Sequence, residues 1–403
     1  MKKVLIALVV LLFAVSVYAE SRLDLSGQMR VRGKTFENFS DFSDSSDADK
    51  ESYFDQRLRI SGKFNVAEGV SVNFRLDFDE ETWGTQGSHG TSVIQTDRAY
   101  LELDKDMYRL RAGRQLISLG NYIALDHNGV GFLATLKTPL EITAAYAKVS
   151  EGGAKSDESD LNTEDATVYA LNLGYNADMA NFNVFYGYQD NGKGAGFDEL
   201  NKSVIGLQAD GNFGVVGFNA EYNYYTGEND TTNMDYVGSQ FYADLFGNLG
   251  IAKVGTELFY AAGTDADDEV QITNLGGGYG LWDDFVPVGT FADSDILDMA
   301  VSDYSFHGSF MLGQNAGSMG IAPYVSVSPM DKLNLMANVG YFEPEEDSVT
   351  DLDSLVVAVL TADYKLYDST GLKLQYGYAA PDVSNGGDDD PAQGFYGKLY
   401  VNF

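Results

Sequence analysis

The chain has 403 residues, a net charge of −34, 44 glycines, 26 tyrosines, 7 prolines and no cysteine. Without cysteine there is no disulfide framework, thiol chemistry or CxxCH haem attachment, and the acidic balance opposes a nucleic-acid partner. Hydrophobic residues make up 44% of the chain, but beyond the N-terminus they are spread as alternation, and no run is long enough for a membrane-spanning helix.

Lys2 and Lys3 precede an apolar run from Val4 to Val15, followed by Val17-Tyr18-Ala19 with small residues where a signal peptidase reads. This reads as a secretory signal peptide over residues 1–19, cut after Ala19. Residues 20–403 are then a single domain. The residue after the cut is Glu20, which excludes lipidation of a cysteine there.

From Leu23, the residues Leu23, Leu25, Gly27, Met29 and Val31 alternate with Asp24, Ser26, Gln28, Arg30 and Arg32. A period of two predicts a strand with one apolar and one polar face. The next strand covers Tyr53 to Val66, with Phe54, Leu58, Ile60 and Phe64 on one side and Asp55, Arg57, Arg59 and Lys63 on the other. Ala67-Glu68-Gly69 then makes a tight turn. Short turns recur near Asp104 to Met107, Thr138-Pro139, Asn176 to Met179, Asp210 to Asn212, Gly247 to Gly250, Ser328 to Lys332 and Tyr367 to Gly371. Longer polar loops fall near residues 37–51, 80–93, 116–128, 150–165, 190–200, 226–237, 263–318, 344–353 and 381–392. Alternation in segments of about ten residues, joined by long loops on one side and short turns on the other, is the pattern of an all-β, antiparallel up-and-down transmembrane barrel. The loops and turns join 18 strands. Sixteen is the alternative, because Tyr304 to Phe310 alternates inside the 263–318 loop. A barrel of this size leaves an aqueous channel.

All ten arginines lie at or before residue 114. On the alternation, Arg30, Arg32, Arg57, Arg59, Arg75, Arg98, Arg109 and Arg111 share the lumen phase, since a guanidinium near the midplane on the lipid side costs about 2–4 kcal/mol. Arg114 is off phase and is expected at a strand end. Asp55, Asp77 and Glu102 share the same face, while later strands turn Asn183, Glu221, Asp244 and Glu257 inward. A basic wall facing an acidic one makes a transverse field across water, and charged walls of this kind tune conduction. An alternative is that the arginines only neutralise neighbouring acids. The third long loop, Leu116 to Gly129, carries Tyr122 and Asp126. By itself it reads as a solvated surface loop.

His89, His127 and His307 are scattered and make no metal-ligand spacing. Ser88-His89 and His307-Gly308-Ser309 have no recognisable third member of a hydrolytic triad, so no catalytic residue, metal or cofactor is expected. Acid clusters at Asp265 to Glu269, Asp388 to Asp390 and Asp41 to Asp49 lack dedicated calcium-loop spacing. They read as solvated tips or as cation bridges to lipopolysaccharide. The chain closes on Phe395, Leu399, Val401 and Phe403 along one strand face, with Lys398, Tyr400 and Asn402 on the other, a terminal assembly signal for an outer-membrane barrel.

The Asp97-Arg98-Ala99-Tyr100-Leu101-Glu102-Leu103 and Leu110-Arg111-Ala112-Gly113-Arg114-Gln115 segments, the Ser328 to Leu333 turn and terminal Phe403 resemble Gram-negative outer-membrane porins, including the 18-stranded substrate-channel and alginate-export-like branch. The resemblance implies a multi-pass barrel in the cell outer membrane, with outer-membrane lipid, lipopolysaccharide and the barrel assembly machinery as partners and a homotrimer left open. It implies a water-filled channel for passive diffusion of ions and small hydrophilic solutes, in which arginines such as Arg57, Arg75, Arg98 and Arg111 line the constriction. It also implies that the Leu116 to Gly129 loop folds into the lumen, placing Tyr122 and Asp126 against the arginines. Two departures stand out: Val401 where an aromatic is common, and no acidic motif in the third loop beyond Asp126. Two other readings stay open, an occluded barrel serving as a scaffold for a partner protein and an exporter of an acidic polysaccharide. Net charge draws cations to the mouth, but the arginines act at the narrowest point, where less water screens them, so a weak anion preference is expected. N-terminal sequencing of the protein recovered from the outer membrane is expected to start at Glu20; retention of Met1 to Ala19 would refute cleavage.

Overall fold

The computed structural model describes residues 22–38, 42, 50–83, 94–150, 166–191, 200–229, 234–263, 270–271, 275, 316–384 and 389–403. Among these residues the chain forms β1 (Leu23–Glu37), β2 (Glu51–Ala67), β3 (Val70–Thr82), β4 (Ile94–Asp104), β5 (Tyr108–Leu119), β6 (Leu125–Leu136), β7 (Leu140–Ser150), β8 (Ala166–Asn176) and β9 (Ala180–Asn191). It continues with β10 (Leu200–Phe213), β11 (Val216–Asn229), β12 (Met234–Leu249), β13 (Ala252–Ala261), the two-residue β14 (Val270–Gln271), β15 (Ser318–Met330), β16 (Leu333–Glu343), β17 (Leu352–Tyr367), β18 (Thr370–Val383) and β19 (Ala392–Asn402). β14 pairs parallel with β12. The other 18 pair antiparallel with their neighbours around one sheet, and β1 meets β19 from Gln28↔Asn402 to Glu37↔Gln393. The result is a closed barrel of 18 strands.

Closure satisfies the backbone. In hydrocarbon every N–H and C=O needs an internal partner, which an open sheet edge cannot supply. At the seam Phe403 N donates to Gly27 O at 3.0 Å and Gly27 N donates to Phe403 O at 2.6 Å. The Phe403 ring covers the space a Gly27 side chain would need. Phe395, Leu399 and Phe403 are exposed on the outer face, in phase with Val401, while Tyr396 is buried inside. The outer face elsewhere carries Leu101, Phe132, Leu207, Val339 and Leu360, all exposed, as a wall solvated by lipid requires. Trp83 stacks on Phe54, and tyrosines Tyr146, Tyr169 and Tyr188 touch in sequence across β7, β8 and β9. Such rings belong to the interfacial girdle of a transmembrane barrel.

The turn expected at Asp210 to Asn212 lies further on. Asp210 accepts from Asn181 Nδ2 at 2.9 Å, so β10 stays paired to Phe213, and the chain reverses at Gly214, whose φ of 73° suits glycine. The Gly247 to Gly250 turn narrows to Gly250-Ile251 for the same reason, with φ 72° at Gly250. Arg114 is not at a strand end: it lies within β5, pointing outward opposite Ala99 and Val130. The signal peptide, His89, His307 and the Tyr304 to Phe310 stretch fall outside the described residues.

The span from Leu116 to Gly129 is largely strand. β5 and β6 continue as a paired hairpin to Leu119↔Leu125, but their outer partners let go earlier: β4 stops pairing with β5 at Ala99↔Arg114, and β6 begins pairing with β7 at Val130↔Lys148. The hairpin therefore leaves the wall and turns into the lumen. Gly113, with φ 128°, stands opposite Gly131 at the bend. A Cβ on Gly113 would overlap the Ala99 carbonyl, and one on Gly131 the Tyr146 carbonyl. Gly113→Val is expected to destabilise the folded barrel by about 1–3 kcal/mol, the usual cost of a strained backbone conformation, read as a lower urea midpoint for refolded protein. An unchanged midpoint would show that the bend tolerates an ordinary residue.

Candidate functional site

β1 to β5 line one side of the lumen with charge. Arg30 stands opposite Arg57, and Arg75 opposite Arg98. Like charges directly across a strand pair repel, so acids are threaded between them. Arg32 Nε and Nη2 donate to Asp55 at 2.6 and 2.9 Å, and Lys34 Nζ lies 2.8 Å from the same carboxylate; this triad is buried. Arg59 makes a bidentate pair with Asp77 at 2.7 and 2.5 Å. Arg111 donates to Glu102 at 2.7 Å and lies 5.3 Å from the Tyr100 ring, with Lys63 at 3.7 Å from Glu102. Arg75 pairs with Asp97, Arg57 Nη2 donates to Gln28 at 3.3 Å, and Arg109 sits at the short-turn end against Asp104 at 3.4 Å.

Asp97 is the acid that alternation hides. A register shift between Arg75 and Leu76 puts an extra residue into β4. Asp97 reaches Arg75 from there, although it is adjacent to lumen-facing Arg98. The pairing partner of a bulged strand is not visible in a single run of sequence.

The hairpin crosses to the opposite side. On one face Ile117, Leu119, Ala124 and Leu125 pack with Ala147, Val168, Phe185, Val204 and Tyr225, all buried. Its tip docks on β10 and β11: Asn121 N donates to the Glu221 carboxylate, Gln208 Nε2 donates to Asn121 Oδ1 at 2.9 Å, and Asn121 Nδ2 donates to Asn219 Oδ1 at 3.1 Å. Asn223 Nδ2 holds the other Glu221 oxygen at 2.8 Å. On its return limb Asn128 accepts from Arg98 Nε at 3.3 Å and donates to Asp97 at 2.8 Å. Asp126 lies within electrostatic reach of Arg75 and Arg98, and Tyr122 of Arg98. The third loop thus brings a carboxylate to the arginines of β3 and β4.

The opposing acidic wall differs from the one anticipated. Glu221, Asp244 and Glu257 do point inward, but they are buried. Glu221 is capped by the hairpin, and Asp244 accepts from Tyr324 Oη at 2.9 Å. The inner faces of β13 and β15 to β19 add an apolar cluster that includes Phe259, Phe342, Val357, Val359 and Tyr396. The acid that the hairpin brings beside Arg75 and Arg98 is Asp126, at the start of β6. Among the described residues there is no cluster of potential metal ligands, and His127 Nε2 lies 3.1 Å from the Val149 carbonyl oxygen.

The barrel resembles solved outer-membrane proteins over nearly all of its length. OccK11 of Pseudomonas aeruginosa superposes with a TM-score of 0.60 at 12% identity, covering 95% of this chain and 96% of that one. The fold is that of a Gram-negative outer-membrane porin. OpdK of P. aeruginosa (TM-score 0.59, 11% identity, 94% and 98% covered) and a BenF-like porin from Pseudomonas fluorescens Pf-5 (0.58, 12%, 94% and 99%) share it. The Gram-negative porin family model matches residues 5–140, the stretch that holds every arginine and the third loop. No curated protein sequence matches the chain. The porin fold places the protein in the outer membrane as a multi-pass barrel. The alginate-export-like branch finds no support in these matches.

Replacing Glu221 by alanine removes the acceptor for the hairpin tip. At about 1.5–3 kcal/mol for each hydrogen bond to a charged group, single-channel recordings are expected to show larger and noisier openings than wild type. A variant with wild-type current would mean that apolar packing and the Asn121 amide bonds to Gln208 and Asn219 hold the hairpin without Glu221.

Proposed function

We propose that this barrel is a water-filled outer-membrane channel through which ions and small hydrophilic solutes diffuse passively, with a weak anion preference set at an arginine-lined constriction. The observation that carries the reading is the hairpin: it leaves the wall at Gly113 and brings Asp126 toward Arg75 and Arg98. Arg57 and Arg59 continue the same face, and bases outnumber acids there among the described residues. The proposal includes export by the signal peptide cut after Ala19, recognition of the Phe395 to Phe403 strand by the barrel assembly machinery, and contact with lipopolysaccharide. A homotrimer is compatible with it.

One observation favours the occluded scaffold as a second reading. Leu275, from the long segment between β13 and β15, is fully buried against the hairpin, and its N–H donates to Ala124 O at 3.0 Å. Leu275 therefore stands against the infolded hairpin. No observation favours polysaccharide export.

Refolded protein in a planar bilayer under a salt gradient is expected to open stepwise with a modest reversal potential of anionic sign. Neutralising Arg75 and Arg98 together should move the preference toward cations, and Asp126→Asn should move it toward anions. Each charge is worth about twofold in permeability ratio, given ~0.4 kcal/mol between unit charges 10 Å apart in water. A silent bilayer from folded barrel would transfer the assignment to the occluded scaffold. An unmoved reversal potential would remove the arginines from selectivity.

A further inference from the structure

Where the hairpin tip docks, the lumen wall changes from charge to carboxamide. Asn172 of β8, Asn183 of β9, Gln208 of β10 and Asn219 of β11 turn inward and form one relay through the tip residue Asn121. Asn172 Nδ2 donates to Asn183 Oδ1 at 3.2 Å, and Asn183 Nδ2 to Gln208 Oε1 at 3.0 Å. Gln208 Nε2 donates to Asn121 Oδ1 at 2.9 Å, and Asn121 and Asn219 exchange bonds at 3.1 and 3.2 Å. Asn183 and Gln208 share a cross-strand row, which runs on to Gly174 and Glu141 on one side and to Glu221 on the other. Gly174 adds no side chain between Glu141 and Asn183.

A carboxamide has two N–H donors and two acceptor lone pairs. In the relay Asn172, Asn183 and Gln208 each use one N–H, and Asn183 and Gln208 each use one lone pair. All three side chains belong to partly buried residues, and none of their amide atoms is buried without a partner. The second N–H and the spare lone pair of each amide therefore face the water of the lumen, side by side.

That pairing decides what the wall can hold. An anion takes the donors and is repelled by the carbonyl oxygens beside them, and a cation meets the reverse. A hydroxyl group donates and accepts at once, so a solute with hydroxyls on neighbouring carbons leaves no group of the wall unmatched. The face of β1 to β5 offers nothing equivalent, because its guanidiniums only donate and are engaged by acids. At the borders of the relay Asp210 accepts from Asn181 and Glu221 holds the hairpin tip, while Glu141 places a carboxylate acceptor at its β7 end.

We propose that Asn172, Asn183 and Gln208 form a binding track for neutral polyhydroxylated solutes, the chemical class of saccharides and polyols. The inference rests on the channel reading and adds to it a solute class that the arginines do not select.

Sucrose and a polyethylene glycol of matched hydrodynamic radius separate binding from volume exclusion, because the ether oxygens of the polymer only accept. In planar bilayers holding the refolded barrel, sucrose is expected to lower the current saturably and to add flicker, whereas the polymer lowers it in proportion to its concentration. N172L/N183L leaves the bond from Gln208 to the hairpin in place and is expected to weaken the sucrose block about tenfold, as the loss of two neutral hydrogen bonds requires. Heat-modifiable migration checks its folding, and Asn172→Leu alone carries the same test at about threefold. A wild-type response to sucrose no different from that to the polymer overturns the proposal, as does an unweakened block in folded N172L/N183L. Saturation-transfer NMR reads contact with sucrose without any current. A silent bilayer together with transfer that N172L/N183L abolishes removes the channel reading and keeps the track, and absence of transfer to sucrose removes the track.

Discussion

The constraint from which the rest of the structure follows is that hydrocarbon offers the backbone no hydrogen-bond partner. A sheet in that solvent must close on itself, and closure here depends on a seam ten register positions long between β1 and β19, finished by the reciprocal bonds of Gly27 and Phe403. Once closed, the wall has two solvents. Most strands then separate their side chains into an apolar outer set and an inner set with a period of two, which is why alternation, and not total hydrophobicity, carries the fold in this chain.

Closure also concentrates charge. With arginines excluded from the lipid face across most of the wall, those of β1 to β5 crowd onto one side of the bore, in places directly opposite one another. Bidentate pairs with Asp55 and Asp77, and the contacts of Asp97 and Glu102, hold this arrangement together. Neutralisation and a residual basic field are therefore two sides of one structure. The buried Arg32, Asp55 and Lys34 triad is a structural strut, because removing one partner of a buried pair leaves an uncompensated charge costing about 3–5 kcal/mol. Arg59, Arg75, Arg98 and Arg111, whose side chains are 21–28% exposed, keep contact with the lumen water.

The hairpin is where local sequence and global shape meet. Glycines at 113 and 131 permit the bend, but its direction is fixed by packing of Leu119 and Leu125 on the inner faces of β7 to β11 and by the bond to Glu221. The bond to Glu221 joins residues 100 positions apart, and the packing also reaches strands distant in the chain, so neither can be read from one segment alone. The same bend opens the wall above Arg114. The approach of Asp126 to Arg75 and Arg98 on the inside and the end of β4–β5 and β6–β7 pairing at Arg114 and Val130 are consequences of one departure of two strands from the sheet.

By itself the sequence determined the antiparallel barrel and ranked 18 strands above 16, and its alternation separates the arginines of the lumen phase from the face of Phe395, Leu399, Val401 and Phe403. Each of these depends on local periodicity, which two solvents impose on most strands. It left open whether residues 116–129 enter the bore, misplaced Arg114 and the Asp210 turn, missed Asp97, and treated Glu221, Asp244 and Glu257 as an open acidic wall. Only the tertiary structure decided these points. A bulge changes phase without changing composition, a turn moves when a neighbouring strand keeps its partner, and burial of an inward acid depends on what the rest of the chain lays over it.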